Sequence, residues 1–320
     1  MVSLTDYNKI NRSFSNKYVF NFGSEGGFYS EFNNMVFGII YCLKYHHRFI
    51  LYTGDSKFTI QNGWNDLFEP FVETVDSAFH KRFNKRMVAP RSKLRHYPRR
   101  LLFKLFNKNT KLTYELFDRF FNKDFEKEHF DFPELDLRGN LRDVSRGIVE
   151  MIYRFNEPTK REIDSIIEQL NLPSRYVSIH VRRGDKDTEF EFVSASSYMR
   201  KLIELSEVKD VFILTDDHRV VDDLRREFEQ FNFYFLVKPN ERGYVHAEFI
   251  RRSPEERKAG LVKLFASVEI MRRSELAIST FTTNPGLFLG MAMPTDRFVS
   301  MQKASWYPFE NDDVSAQMVK

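Results

Sequence analysis

Residues Val177 to Lys186 read VSIHVRRGDK, an alternating apolar run that stops at two arginines, a glycine, an aspartate and a lysine. Such a run is a buried strand, and its carboxyl end carries Arg182, Arg183 and Lys186 into a turn. Ligands of open α/β sheets lie beyond that edge. Neighbouring guanidinium groups there suit a diphosphate, whose oxygens accept paired hydrogen bonds from a planar fork. Two later apolar runs also end in polar turns, Thr215-Asp216-Asp217 and Phe281-Thr282-Thr283-Asn284-Pro285-Gly286. Together the three turns offer cations, carboxylates, hydroxyls and a helix N-terminus, which is the set a nucleoside diphosphate requires. Each turn also has a plainer reading: Arg183 with Asp185 as a surface ion pair, Asp217 and Thr283 as helix caps. Caps do not account for consecutive arginines at the end of a buried strand, so the nucleotide reading is preferred.

These turns need a sheet to bring them together, and the pattern supplies one. After Pro173, strands at 176–181, 211–214, 233–237 and 276–280 alternate with helices at 196–205, 220–228 and from Ser253 onward. The last of these opens with Ser253-Pro254-Glu255-Glu256, a cap, a first-turn proline and two acids. A β-α-β-α series of this kind predicts a doubly wound parallel sheet. The chain also opens with a strand at 17–22, a glycine loop from Gly23 to Gly27, a helix carrying Phe32, Met35, Val36, Ile39, Ile40 and Leu43 on one face, and a strand at 48–52. The loop lacks the G-x-G-x-x-G spacing of dinucleotide sites. Gly26, Gly27, Phe28 and Tyr29 are its candidates for backbone approach to a ligand or acceptor. From 58 to 147 periodicity fades: a helix is expected at 114–125 and a loop at 133–146. A helix at 160–170 ends at Asn171-Leu172-Pro173, which sets the expected boundary between domains 1–172 and 173–320.

Composition bounds the rest. The chain has 320 residues, room for two domains, and the apolar and charged fractions of a globular protein. Its one cysteine, Cys42, excludes an intrachain disulfide and fits a reducing compartment. No apolar run is long enough to span a bilayer, and the polar first residues lack the apolar core of a signal peptide, so a cytoplasmic location is expected. Cys42 and His46 are too few to hold a metal, and packing is the better reading for Cys42, Trp64 and Trp306. Between Asp76 and Glu115 there is no acid, while the segment Lys81 to Arg100 is crowded with lysine and arginine and runs into Leu101-Leu102-Phe103. The ordinary reading is a solvated face; the functional one is peripheral contact with an anionic membrane surface. Nucleic acid is not favoured, because no zinc spacing or recognition motif accompanies the charge.

The residues His180-Val181-Arg182-Arg183-Gly184-Asp185-Lys186 followed by Thr188-Glu189 resemble the first motif of the α1,6-fucosyltransferase family. That family includes N-glycan core and bacterial nodulation fucosyltransferases, with protein O-fucosyltransferases as distant relatives. Thr215-Asp216-Asp217 and Thr280-Phe281-Thr282-Thr283-Asn284 are similar to its second and third motifs, and the Gly23 to Leu51 block to its N-terminal strand, loop and helix. The resemblance implies a GT-B-type α/β fold, two Rossmann-like domains facing a cleft, with the acceptor half first and the donor half second. It implies an inverting, metal-independent transfer of fucose from GDP-fucose to a hydroxyl of a glycan or glycolipid, with no cofactor. By position, Arg182 binds the β-phosphate with Arg183, Asp185, Lys186 and Asp216 nearby, and His180 lies beside the nucleotide. Thr282, Thr283 and Asn284 meet the phosphates. Glu189 matches the catalytic base, but the chain is one residue shorter between Lys186 and Thr188, which leaves Asp187 and Glu191 as substitutes. Ser267 stands where the family has its base-recognising aspartate, with Glu269 close by, and Leu287 stands in place of an arginine. The rival readings are another UDP- or GDP-linked donor, a metal-dependent reaction through Asp216 and Asp217, and a non-catalytic nucleotide- or lipid-surface-binding protein.

Overall fold

The computed structural model describes residues 2–23, 26–85, 90–115, 128–184 and 193–302, with the backbone alone for 90–96. The chain divides into two units, Met1–Asn156 and Glu157–Trp306.

In the first unit, α1 (Leu4–Ser13) is capped by the Ser3 hydroxyl. It is followed by β1 (Asn16–Asn21), α2 (Phe28–Lys44) and β2 (His47–Tyr52). The side chain of Asn11 donates to and accepts from the Phe49 backbone at 3.0 and 2.6 Å, fixing α1 to the edge of β2. Next come α3 (Ala78–Phe83), α4 (Pro90–Phe106) and β3 (Thr110–Leu112). The three strands form a parallel sheet in the order β2-β1-β3, and β4 (Phe130–Phe132) pairs antiparallel with β5 (Leu137–Gly139). The unit's described elements end in α5 (Leu141–Ile152). The loop expected over 133–146 thus contains β5 and the start of a helix. The physical reason is a capping box: Asn140 accepts from the Asp143 N–H at 3.0 Å, and the Asp143 carboxylate accepts from the Asn140 N–H. The helix expected at 114–125 lies almost entirely outside the described residues, as does Trp306.

Phenylalanine is abundant because this unit's core is aromatic. Phe28 stacks on Phe32 and Phe68, meets Phe22 and Phe58 edge-on, and Trp64 stacks on Phe68 at 4.3 Å. Trp64 is therefore a packing residue, with its indole N–H donated to the Glu69 carbonyl. Cys42 is buried, and burial raises its thiol pKa. His46 is not on the helix with it: α2 stops at Lys44, and His46 occupies a left-handed turn against Phe14.

The second unit begins with α6 (Glu157–Gln169), whose last turn is closed by Asn171 in the left-handed region. The expected boundary at Pro173 marks where this helix stops. The observed division lies at its start, because α6 pairs with the second unit through Lys258–Glu162 and Arg273–Asp164. Then follow β6 (Val177–Val181), α7 (Ala195–Leu205), β7 (Asp210–Thr215), α8 (His218–Glu227) and β8 (Asn232–Phe235). The short α9 (His246–Phe249) leads to α10 (Pro254–Arg273), β9 (Ala277–Ser279), α11 (Asn284–Ala292) and β10 (Phe298–Ser300). All five strands are parallel, in the order β10-β9-β6-β7-β8. Val177, Ile179, Val181, Val211 and Ile213 are buried with Met199, Leu202, Val221 and Leu224 from α7 and α8, each contributing about 1.5–3 kcal/mol of burial. The chain leaves β6 in one direction to β7 and β8, then returns to β9 and β10 on the other side. The sheet therefore has its topological switch point between β6 and β9, where ligands of such sheets bind.

Candidate active site

The turn after β6 is held by a residue from the next strand. Asp216, just beyond β7, accepts the backbone N–H groups of Arg183 and Tyr244, each at 2.8 Å, and its own carbonyl accepts the Gly243 N–H at 2.8 Å. The same carboxylate forms an ion pair with the Arg182 guanidinium. Arg182 also donates to the Tyr244 carbonyl at 3.3 Å and lies over the Tyr244 ring, 5.1 Å from its centroid. Both side chains of the pair are 16% exposed, so the guanidinium is at a sheltered edge and not in bulk solvent.

Two glycines permit this closeness. Gly184 (φ +73°) and Gly243 (φ +108°) sit in the left-handed half of backbone space, which disfavours any side chain. A Cβ at Gly184 would lie 2.4 Å from the Tyr244 oxygen, and one at Gly243 would lie 2.8 Å from the Gly184 Cα. The 182–184 turn and the 242–244 loop are thus pressed backbone to backbone around Asp216.

The two arginines do not act as one fork. Arg183 sends its Nη1 to the carbonyls of Arg182 and Val193, at 3.1 and 3.2 Å, and burial lowers its pKa. Alternating side chains send them to different places, leaving Arg182 at the sheet's edge. Asp185, Lys186 and Glu189, with Asp187 and Glu191, lie outside the described residues.

His180 is buried on β6, and its Nδ1 is 2.9 Å from the Ser279 hydroxyl of β9. Burial, reinforced by the charge of Arg182, pushes its pKa down to about 3, so it is neutral near pH 7. It links the two strands of the switch point and can carry no positive charge toward a phosphate.

Across the switch point, the turn after β9 is built from hydroxyls. Thr280 and Thr282 meet at 2.9 Å, and both donate to the Gln302 amide oxygen, at 3.2 and 3.0 Å. Thr283 caps α11, accepting from the Gly286 N–H at 3.2 Å and donating to the Thr280 carbonyl at 3.1 Å. A Cβ at Gly286 would meet that carbonyl at 1.9 Å, so the first turn of α11, with Asn284 at its start, is drawn tightly onto the end of β9. Its N-terminal end carries the partial positive charge that favours an anion.

The plainer reading holds for Thr283, and for Asp217 too. Asp217 caps α8 and pairs with Arg219, at 2.5 Å, which holds its carboxyl below the usual range. Asp216 and Asp217 are therefore engaged with different cationic partners. Among the described residues, no group of three His, Cys, Asp or Glu side chains is arranged to hold a metal. Ser267 is buried in α10 and donates to the Lys263 carbonyl at 2.8 Å, while Glu269 pairs with Arg272 at 2.6 Å.

In the first unit, Gly26 is held by the buried Glu31, whose carboxylate accepts the Gly26 and Gly23 N–H groups, at 2.7 and 3.3 Å. A Cβ at Gly27 would meet nothing within 4 Å, so this position has no steric need for glycine. Phe28 and Tyr29 are corrected from loop candidates to core residues. They begin α2, are 3% and 2% exposed, and the Tyr29 hydroxyl lies 2.7 Å from that of Tyr153. Tyr244, Gly243, Ser279 and Gln302 were not legible as site residues, since only the strand order brings them to these turns. The one local sign was the glycine before Tyr244.

Residues 145–283 match the family described as "Alpha-(1,6)-fucosyltransferase N- and catalytic domains". No curated protein matches the chain. Among solved structures, NodZ alpha-1,6-fucosyltransferase soaked with GDP-fucose is similar in fold at 15% identity and a TM-score of 0.56, covering 90% of this chain and 95% of that one. The fucosyltransferase NodZ from Bradyrhizobium gives 15% identity and 0.52 over 87% and 91%. The Arabidopsis thaliana FUT1 in complex with GDP gives 13% and 0.50 over 92% and 76%. The fold is GT-B-type. The segment that holds Arg182, Asp216 and Thr282 is thus of the alpha-(1,6)-fucosyltransferase kind, and the chain is a glycosyltransferase.

Proposed function

We propose that the protein moves fucose from GDP-fucose to a hydroxyl of a glycan or glycolipid, with inversion and without a metal ion. The observation that carries this reading is the meeting of the Arg182 turn and the α11 N-terminus at one switch point, beyond the ends of β6 and β9. Cleaving the sugar–phosphate bond builds negative charge on the leaving diphosphate. A fixed guanidinium and a helix N-terminus stabilise that charge as it develops, the part a metal plays elsewhere. Two of the solved structures named above were obtained with GDP-fucose or GDP, which supports the donor. The rival metal-dependent reaction needs Asp216 and Asp217 on one ion, whereas their hydrogen bonds commit them to Arg182 and Arg219.

The test is a thermal-shift screen in EDTA with GDP, UDP, GDP-fucose, GDP-mannose and UDP-sugars. At a hundred times Kd a ligand adds about 2.7 kcal/mol of stability. The expected result is a shift with GDP species alone. A shift with UDP species, or one that requires a divalent ion, overturns the donor assignment. Ser267 makes the base the sharper part of this test, because it brings no carboxylate to pair with a guanine edge.

The incoming hydroxyl must lose a proton, and the family resemblance gives that task to Glu189. Glu189→Gln is expected to retain GDP affinity and to lose turnover on the order of 10². Calorimetry with GDP and a transfer assay separate the two. Unchanged turnover removes Glu189 from the role and directs attention to Asp187 and Glu191.

A further inference from the structure

From Tyr97 onward, where its side chains are described, helix α4 is fixed to its unit along one side. Phe103 stacks on Phe79 with centroids 4.1 Å apart, and Arg100 donates twice to the Phe83 carbonyl, at 2.9 and 2.8 Å. Lys104 reaches the Thr110 carbonyl and the Glu115 carboxylate, at 2.6 and 2.7 Å. At 3.6 residues per turn, the opposite half of the helix presents Tyr97, Leu101, Leu102, Leu105 and Phe106. All five are exposed, Phe106 by 82% and Tyr97 by 62%. Single exposed hydrophobics are ordinary, but a cluster on one helix marks a binding surface. Of the large hydrophobic side chains exposed among the described residues, the others are scattered over three separate segments.

Charge identifies the occupant. From Ser77 to Tyr114 the sequence has no acid, and Lys81, Arg82, Arg99 and Lys108 are exposed on α3, on α4 and just beyond it. An apolar helix face flanked by cations alone is the signature of a helix lying in a bilayer interface, with its cations at anionic headgroups. A protein partner would need an acidic rim built around an apolar centre, whereas an anionic bilayer supplies both at once, headgroups for the cations and acyl chains for the apolar face. No described helix is long and apolar enough to cross a membrane, so such contact is peripheral. We propose that α4 docks this protein on an anionic phospholipid surface, inserting Leu101, Leu105 and their neighbours between headgroups.

The full-length chain is sedimented with vesicles of phosphatidylcholine alone or enriched in phosphatidylglycerol, alongside Leu101→Asp/Leu105→Asp and Arg99→Gln/Lys108→Gln. The two leucines are exposed, so thermal melting and GDP binding are expected to be unchanged. The chain should bind the anionic vesicles and weakly the neutral ones. The leucine variant should lose at least tenfold in affinity, and the charge variant about fivefold per residue on anionic vesicles only. Failure of the chain to bind, equal binding by the leucine variant, or a dimer that the leucine variant splits without any vesicle binding each overturns the proposal.

Discussion

Asp216→Ala is expected to lower the melting temperature by about 10 °C and to remove measurable GDP binding. The carboxylate neutralises Arg182 and receives the Arg183 and Tyr244 N–H groups, all in a sheltered site. Its removal leaves a guanidinium without its counter-ion and two amide protons without their acceptor. Breaking such an arrangement costs about 3 kcal/mol, and each kcal/mol shifts melting by about 2–4 °C in a domain of this size. Asp216→Asn should be almost as damaging. Oδ2 receives both Arg182 and Tyr244 while Oδ1 receives Arg183, so either placement of the amide turns an NH2 toward a donor. The loss of GDP binding follows from geometry, since Arg182 and the 242–244 loop are both tied to this one group. Differential scanning calorimetry and GDP titration measure the two effects. A normal melt with weakened binding would make Asp216 a direct ligand contact only; normal binding would remove it from the site.

How much of this was readable beforehand differs between the two units. In the second, apolar strands bounded by polar turns gave β6, β7 and β9 and the turns that follow them. The reason is physical: strands covered on both faces are buried along their whole length, as β6 is even at Ser178 and His180, so the change to polar turns at their ends is sharp. The alternation implied that the polar turns emerge on one edge of the sheet, but not the strand order that sets the Arg182 and Thr282 turns side by side. What each polar residue does there was not implied. Whether Arg183 reaches a ligand or its own backbone depends on side-chain direction at a turn, and the Asp216 to Tyr244 bond spans 28 residues.

The first unit was less legible because its packing obscures period. α4 carries apolar residues on both its attached and its exposed sides, and Pro98, a residue that reads as a helix breaker, lies inside it, so no single stripe stands out. α5 begins in a turn-like stretch whose decisive feature is the Asn140–Asp143 box. Phe28 and Tyr29 follow a glycine loop and so resemble loop residues, yet the aromatic core claims both. Sequence pattern located the turns; it could not tell a residue that lines a turn from one that plugs the core behind it.

Arg182→Ala should lower turnover by about 10²–10³, the range for losing one preorganised donor to a developing anion, with GDP affinity falling by at least about tenfold. The side chain starts from a position the fold prepays: paired with Asp216, resting on the Tyr244 ring and bonded to the Tyr244 carbonyl. These contacts fix the guanidinium plane at the end of β6, where 16% of the side chain stays exposed. Arg182→Lys should recover little. An ammonium group has three donors, but all radiate from one atom, so it cannot span Asp216, the Tyr244 carbonyl and a phosphate as the planar guanidinium fork does. The lysine variant therefore separates a need for charge from a need for the fork. Arg183→Lys is the internal comparison, because Arg183 bonds backbone carbonyls that an ammonium can also reach. If Arg182→Lys restored turnover, simple charge would suffice and the fixed orientation would have no part in the reaction. If Arg182→Ala left both turnover and GDP affinity intact, the switch point between β6 and β9 would not be where the diphosphate leaves.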